Sequence, residues 1–564
     1  MAIGPELVGA VSIEVSGEFR NNKIRRVDFG DLWLALSFSR ERTIFFSWDP
    51  EFYGVCEARS DEVRRLSEAA LGRPPVGMAV KSHLMGAELV RAFAPRRDRV
   101  LWIELRRTVG AGFFQTRRLL IEASGRYSNM LLLDDGERII EAARHIYPED
   151  NRYRSLLPGF RYEPPPPIDG TDLMEWDCDA EDSLDVLPRL IGLGRPLLAA
   201  VSRTCSESPG EERRILGGVN FFKDWDGAAV YQSIGNYVTM FPSLLTGAEA
   251  LPASSALDAA RSAVILPLIG RHVVRYRKKI SQRLNRLASA NAKKISEYET
   301  LLSDTGAAER LMSAGRLILA NCHAIPPRSS EAELVEWTES GDVRRVIPLN
   351  PEFDAARNAE AYFAKYRKKR SASDRAREVL QPLYAERDEL FEQAALLECH
   401  DDITTLSLML DELQPSGISR RSGKKPAGSS VPPPHRRYDI AGAGSVIFCG
   451  LSSRGNQYVT YRLARGDDLW FHAQGLPGAH VILRLGSKLD PGMMERILTA
   501  AASCAAYHSK GRDSGRVSVD HTLRRYVRAI PGGSPSHVTY RDYRTINVDP
   551  ASWPRALESL GDIR

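Results

Sequence analysis

The chain has 564 residues, 43% hydrophobic and 26% charged with a net charge of +5, so it reads as several globular domains and not one core. No apolar run reaches the roughly 18 residues of a membrane span, and the opening Met-Ala-Ile-Gly-Pro-Glu lacks the basic-then-apolar pattern of a secretory signal. Seven scattered cysteines without a Cys-x-x-Cys pair fit a reducing cytoplasm and argue against a disulfide framework or structural zinc.

Residues 29–38, 43–48, 100–106, 118–123 and 129–134 carry strand patterns, and residues 62–71 and 80–92 have helical apolar spacing. Four prolines at 164–167 close this region. Asp98 and Arg99 end a Pro-Arg-Arg-Asp-Arg run before a strand, where an acid between arginines can aim a guanidinium at a phosphate or base edge. A turn with local ion pairs is the plainer reading. Gly125-Arg-Tyr-Ser-Asn129 is a polar turn between paired strands. Residues 191–201 run from a short helix through Gly192-x-Gly194 into a second helix. That is the helix-hairpin-helix pattern, whose backbone N–H groups suit a phosphate, although a simple αα-hairpin has the same glycines.

Residues 259–302 form a long helical pattern, with Val273, Ile280 and Leu287 at sevens and Leu284 and Tyr298 beside them. Leu383, Leu390 and Leu397 repeat likewise within 356–413. Two such arms around an insertion read as an antiparallel coiled coil, each about 60 to 80 Å long at 1.5 Å per residue; a dimerising coil is the alternative. The insertion shows a helix at 311–321 and strands at 334–338 and 343–349. Residues 259–296 contain ten Lys or Arg and no acid, residues 415–437 contain six and no acid, and residues 436–564 hold 18 basic against 11 acidic. One run would read as a solvated face; three on a nearly balanced chain point to a polyanionic partner. Arg271, Arg275, Arg277, Lys278, Lys279, Arg283 and Arg286 are the arm's candidates for binding RNA.

Beyond a flexible basic linker at 415–435, strands are expected at 445–451 and 456–463. Residues 467–484 then read as strand, turn, strand. Trp470 and His472 share a strand face, His480 flanks the turn, and Arg484 follows. Flat rings with cations suit base stacking and phosphate holding, so Trp470, His472, His480 and Arg484 are candidate RNA contacts. Trp470 as core is the plainer reading. A helix at 495–509 and strands at 517–522 and 538–545 complete the region. No Walker motif, nucleophile elbow or His-Glu-x-x-His is present. His472, His480 and His508 lack the spacing pattern of a metal set, so no catalysis, metal or cofactor is expected.

Asp468-Leu-Trp-Phe-His472 with Pro477-Gly-Ala-His-Val481 resembles the signature of the NFACT-R domain, with Ala479 where Ser is usual. Asp98-Arg99 matches a functional pair of the NFACT-N domain. Gly125 to Asn129 matches a family turn that usually has His in place of Tyr127, and Arg152 to Gly159 matches the closing motif. Leu349-Asn-Pro351 and Asn358 to Lys369 resemble the middle-domain motif. In this order the modules resemble the NFACT family, which includes bacterial RqcH and eukaryotic NEMF proteins, some under an older fibronectin-binding label. The family commonly has Asp-Gly where this chain has Gly4-Pro5.

The resemblance implies a multidomain α+β protein. A glycosylase-like α/β NFACT-N domain covers 1–170 and a helix-hairpin-helix module 180–257. A long antiparallel coiled-coil middle domain covers 259–414, with a small α/β tip at about 304–352. The basic linker covers 415–435 and an α+β NFACT-R RNA-binding domain 436–564. It further implies a cytoplasmic, non-enzymatic translation factor. Its partners would be a stalled large ribosomal subunit with peptidyl-tRNA, ribosomal RNA and tRNA, alanyl-tRNA first. It would support mRNA-independent alanine tailing, the ribosome making the bonds, with Asp98 and Arg99 in the tRNA-binding role. A fibronectin-binding surface adhesin is the alternative, which no signal, anchor or repeat supports. A DNA-repair enzyme lacks its catalytic features, and neither DNA nor membrane is expected as a partner.

Overall fold

The computed structural model describes residues 2–560 apart from 71, 96–98, 111–112, 181, 226–227, 304, 339–340, 414–431, 441–442, 487–488 and 532–535. Most of the linker expected at 415–435 therefore lies outside the described residues. The chain divides into two compact units, Met1–Arg275 with Asp402–Thr404, and Tyr276–Asp401 with Thr405–Arg564. No helix among the described residues is long and apolar enough to cross a membrane.

The first unit opens on a helix that the sequence reading missed, Pro5–Phe19, with proline at its first position and Leu7, Val8, Val11, Val15 and Phe19 buried. Two antiparallel sheets follow. One is a meander of Arg26–Gly30, Trp33–Ser37, Thr43–Trp48 and Tyr53–Ala58. Residues 29–38, expected as one strand, fold back so that Gly30 faces Trp33. The other sheet runs Ile139–Ala142, Asn129–Leu133, Phe113–Glu122, Val100–Gly110, Glu88–Phe93. The helix expected over 80–92 stops at Leu84. Gly86 has φ +78, a left-handed conformation that glycine adopts without strain, and Glu88–Phe93 pairs with Val100–Gly110.

A third sheet joins Ala2–Ile3 in parallel to Tyr237–Phe241, and Glu6 locks that junction. Fully buried, Glu6 accepts from the Tyr237 hydroxyl at 2.7 Å, the Thr239 hydroxyl at 2.7 Å and the Gly194 N–H at 2.8 Å. A Cβ on Gly4 would lie 1.6 Å from the Tyr237 hydroxyl oxygen and 2.3 and 2.4 Å from the Glu6 carboxylate oxygens. Gly4→Ala is therefore expected to destabilise this unit by about 1 to 3 kcal/mol through overpacking. Combined with Tyr237→Phe, which removes the colliding hydroxyl, it should cost less than the sum of the two single changes. Urea unfolding of the four chains measures this, and strict additivity would count against the collision.

The second unit takes up the helix Ile265–Ser303 from Tyr276 onward, and Ala355–Glu398 returns along it. Contacts between residues 277 and 398–401, and between 291 and 383–386, make the pair antiparallel. Ile280, Leu284 and Ile295 are buried. Leu287, expected in the seam, is only half-buried, and Asn291 is buried beyond it. The Asn291 amide donates to the Leu383 carbonyl at 3.2 Å and to Glu386 at 2.8 Å, a polar pairing that fixes register. Between the arms, helix Thr305–Ala320 packs against the hairpin Glu331–Thr338 and Gly341–Pro348 around Ile318, Leu334, Ile347 and Leu349.

The C-terminal domain is a six-stranded sheet in the order His435–Ile440, Ser445–Gly450, Val481–Arg484, Leu469–Ala473, Val517–Leu523, Arg544–Val548. Helix Pro491–Tyr507 covers one face. The strand expected at 456–463 is instead helix Ser453–Tyr458 running into a π turn, Val459–Leu463. The Ser452 hydroxyl caps it by accepting from the Gly455 N–H at 3.0 Å. Buried Asn456 donates to the Gly478 carbonyl and accepts from the His480 N–H, bonds that a strand at this position would not reach.

Candidate nucleic-acid interface

In the first unit Asp98 lies outside the described residues. Arg99 is half-buried at the mouth of strand Val100–Gly110, its carbonyl accepting from Ala123 at 2.7 Å. It is an electrostatic neighbour of Tyr237, whose phenol is pushed well above its usual range by burial and then by Glu6. The polar turn is close by: Gly125 has φ +62, and a Cβ there would meet Tyr53, which also acts electrostatically on Tyr237. Arg126 stacks on exposed Tyr127 at 4.8 Å and donates to its hydroxyl at 2.7 Å. Arg126 and Tyr127 thus form an exposed cationic, aromatic pair. Arg154 of the closing motif is structural, donating to buried Glu122 at 2.6 and 2.8 Å while Tyr162 donates to the same carboxylate. The hairpin before helix Arg195–Glu207 does not offer its Gly194 N–H to a phosphate, because Glu6 already holds it.

The arm's candidates split. Arg271 pairs with buried Asp49 and lies over Phe52 at 4.9 Å. Arg277 donates to the carbonyls of Glu398 and His400 and pairs with Asp401. Arg283 donates to the Leu413 carbonyl at 3.3 Å. All three are half-buried and engaged in contacts within the protein. Arg275, Lys278, Lys279 and Arg286 are exposed, as are Lys293 and Lys294.

In the C-terminal domain most of the candidate contacts are enclosed by the fold. Trp470 is 0% exposed, stacked on His472 at 5.6 Å and edge-on to His480 at 5.2 Å, among Phe448, Val459, Ile482 and Val527. His480 is 2% exposed, its Nδ1 2.9 Å from the Thr460 hydroxyl. Arg484 pairs with Asp468 at 2.9 Å and donates to the Leu463 carbonyl at 2.7 Å. His472 and Arg484 are each half-buried. Both faces of the sheet are covered, so sharing a strand face did not bring these groups to solvent.

Exposed cations and rings lie elsewhere on this domain; the sequence points to Arg462 and Arg465 beside the strand-turn-strand but not to the others. Tyr526 sits between the guanidinium groups of Arg525 at 5.3 Å and Arg541 at 5.4 Å. Half-exposed Tyr543 meets Tyr540 edge-on. Arg462, Arg465, Arg528 and Arg544 are exposed on the adjoining segments. The signal was available as basic-aromatic interleaving in Arg524-Arg-Tyr-Val-Arg528 and Tyr540-Arg-Asp-Tyr-Arg544. Such a surface can stack on bases and hold phosphates.

Buried titratable groups hold the C-terminal domain to the base of the arm. Burial lowers His472 from 6.5 to about 4 and takes His480 further down. Burial raises Glu392, which accepts from Asn456 at 2.8 Å and from Ser536, and raises Glu412 from 4.5 to about 7. The signs oppose. The histidines' stabilisation is present above 6.5 and lost as pH falls through the depressed values; the glutamates' is present below 4.5 and lost as pH rises through about 7. Hydrogen exchange corrected for intrinsic rates should show Leu469–Ala473 losing protection as pH falls below 6.5 and residues 389–412 losing it as pH rises from 4.5 to about 7. A change of the same sign in both segments would contradict this.

A family model described as NFACT N-terminal and middle domains matches residues 16–190 and 271–430. The chain is 28% identical to the Rqc2 homolog RqcH of Bacillus subtilis (strain 168) over 85% of either chain. It is 27% identical to the Rqc2 homolog RqcH of Streptococcus suis (strain 05ZYH33) over 84% of either. Among solved structures, the C-terminal part of the fibronectin/fibrinogen-binding protein from Streptococcus suis is 23% identical, covers 51% of this chain and 98% of its own, and has a TM-score of 0.36.

Proposed function

This chain belongs to the NFACT family, and on that footing we propose that it acts in ribosome-associated quality control. It binds a large ribosomal subunit that still carries peptidyl-tRNA, through ribosomal RNA and tRNA. It recruits a further tRNA, alanyl-tRNA first, for mRNA-independent addition of alanine to the nascent chain. The ribosome forms the peptide bonds; this protein is an RNA-binding factor. The observation that carries the reading is the similarity to Rqc2 homolog RqcH proteins along most of the chain. Exposed cations on the arm that make no ion pair among the described residues, and the Arg525–Tyr526–Arg541 surface, where Arg525 also pairs with Asp467, support it as RNA-binding chemistry.

Sedimentation of the tagged protein through a sucrose gradient tests the first step. Co-migration with free large subunits is expected, whereas exclusive recovery from the cell wall would favour a fibronectin-binding adhesin. The tRNA step is tested separately. Asp98→Ala with Arg99→Ala is expected to abolish tails on stalled chains, read by gel mobility, while leaving subunit co-sedimentation in place. Normal tails from the double variant would remove the pair from tRNA binding.

A further inference from the structure

A buried cluster in the C-terminal domain has no part in RNA binding. Cys449 lies on the strand Ser445–Gly450, second in the sheet. Cys504 and His508 stand one turn apart at the end of helix Pro491–Tyr507, where the His508 N–H donates to the Cys504 carbonyl at 3.1 Å. The helix packs on the sheet, so the three side chains converge. Their ligand atoms all lie within 4.8 Å of one another. Cys449 and Cys504 are fully buried and His508 is 2% exposed.

The imidazole is the unexplained part. Neither ring nitrogen of His508 has a hydrogen-bond partner among the described residues. Buried polar atoms are nearly always paired, because leaving one unpaired forfeits its hydration without return. Next to the cluster are Cys399, whose thiol lies 3.3 Å from the Ser509 carbonyl, and His400, whose ring centre is 5.6 Å from that of His508.

We infer that Cys449, Cys504 and His508 form a site for a soft divalent cation, zinc by chemical class. Two sulfurs and an imidazole nitrogen select zinc over magnesium or calcium, which take oxygen ligands. Tetrahedral zinc needs donor atoms about 3.5 to 3.8 Å apart at bond lengths of about 2.0 to 2.3 Å, a modest contraction of the observed cluster. Charge balances as well. On binding, the two thiols release two protons, so one dication with two thiolates and a neutral imidazole is uncharged, as an apolar interior requires. Cys399 and His400, whose Nε2 lies 3.0 Å from the Leu451 carbonyl, follow directly on the returning arm helix, and Cys399 is the candidate for a fourth bond. The ion would then tie the arm's base to the sheet.

The test uses the full chain, purified in reductant without a metal-affinity tag. Elemental analysis should find roughly one zinc per chain after gel filtration. After zinc removal, cobalt(II) alone should produce a near-ultraviolet thiolate-to-metal band and tetrahedral visible bands that saturate at one equivalent. Cys504→Ala and His508→Asn should lose the saturating signal, with circular dichroism checking that each remains folded. The parent decides the matter if both variants unfold. Absence of zinc together with absence of saturable cobalt absorption in the parent would overturn the site. So would an unchanged thiolate band in a folded Cys449→Ala/Cys504→Ala chain, or a purified protein whose Cys449 and Cys504 are joined as a disulfide.

Discussion

Replacing Trp470 with alanine should unfold the C-terminal domain at temperatures where the parent is folded. The indole is 0% exposed and packs on His472, His480 and Tyr540 with ring centres 5.0 to 5.6 Å away. Val459, Ile482 and Val527 close the rest of its pocket. Truncating a buried large aromatic removes its transfer energy and leaves a cavity, a loss of roughly 3 to 5 kcal/mol. Against the 5 to 15 kcal/mol typical of a whole domain, that is enough to shift melting by many degrees. Tyr543→Ala and Arg541→Ala, at exposed positions, should leave melting almost unchanged and weaken binding to RNA. The reverse pattern, normal melting in Trp470→Ala with lost RNA affinity, would restore the indole as a base-stacking platform.

This contrast shows where sequence reading stopped. The strand-turn-strand over 469–484 was legible because Gly475, at φ +65, and its neighbours punctuate two apolar runs. What those strands face was not. Alternation names two faces, and here one is covered by Ala501 and Cys504 and the other by Val459 and Val527. Residues 456–463 alternated like a strand, yet the Ser452 cap and the buried bonds of Asn456, long-range effects of the fold, made them helical. The glycines at 192 and 194 read as a helix-hairpin-helix pattern whose N–H groups suit a phosphate, but the carboxylate that occupies the Gly194 N–H comes from Glu6, 188 residues earlier. Likewise a run of cations says nothing of which ones will be tied to distant acids: Arg271 finds Asp49 222 residues away. Cys449 and Cys504 showed no metal spacing because a strand and a helix far apart in the chain bring them together.

The second large effect follows from sorting those cations. Lys279, Arg286 and Lys293 are exposed and make no ion pair among the described residues. Spaced by sevens, they lie along one side of the outgoing helix about 10.5 Å apart at 1.5 Å per residue. That is a row suited to phosphates, opposite in character to buried Ile280, Leu284 and Ile295. If each neutralises one phosphate, the logarithm of affinity for isolated large subunits should fall with log salt by about 0.7 to 0.9 per contact. Reversing all three to glutamate should therefore flatten that slope by about 2 to 3 and weaken binding about a hundredfold near 0.1 M salt. Arg277→Ala is the informative companion. Its guanidinium is spent on Glu398, His400 and Asp401, so its loss should loosen the arm's base and lower melting while leaving the slope close to the parent's. Filter binding of the purified chains across a salt series reads both numbers. An unchanged slope in the triple reversal would mean that this face of the arm does not meet RNA, and the search would move to the Arg525–Tyr526–Arg541 surface.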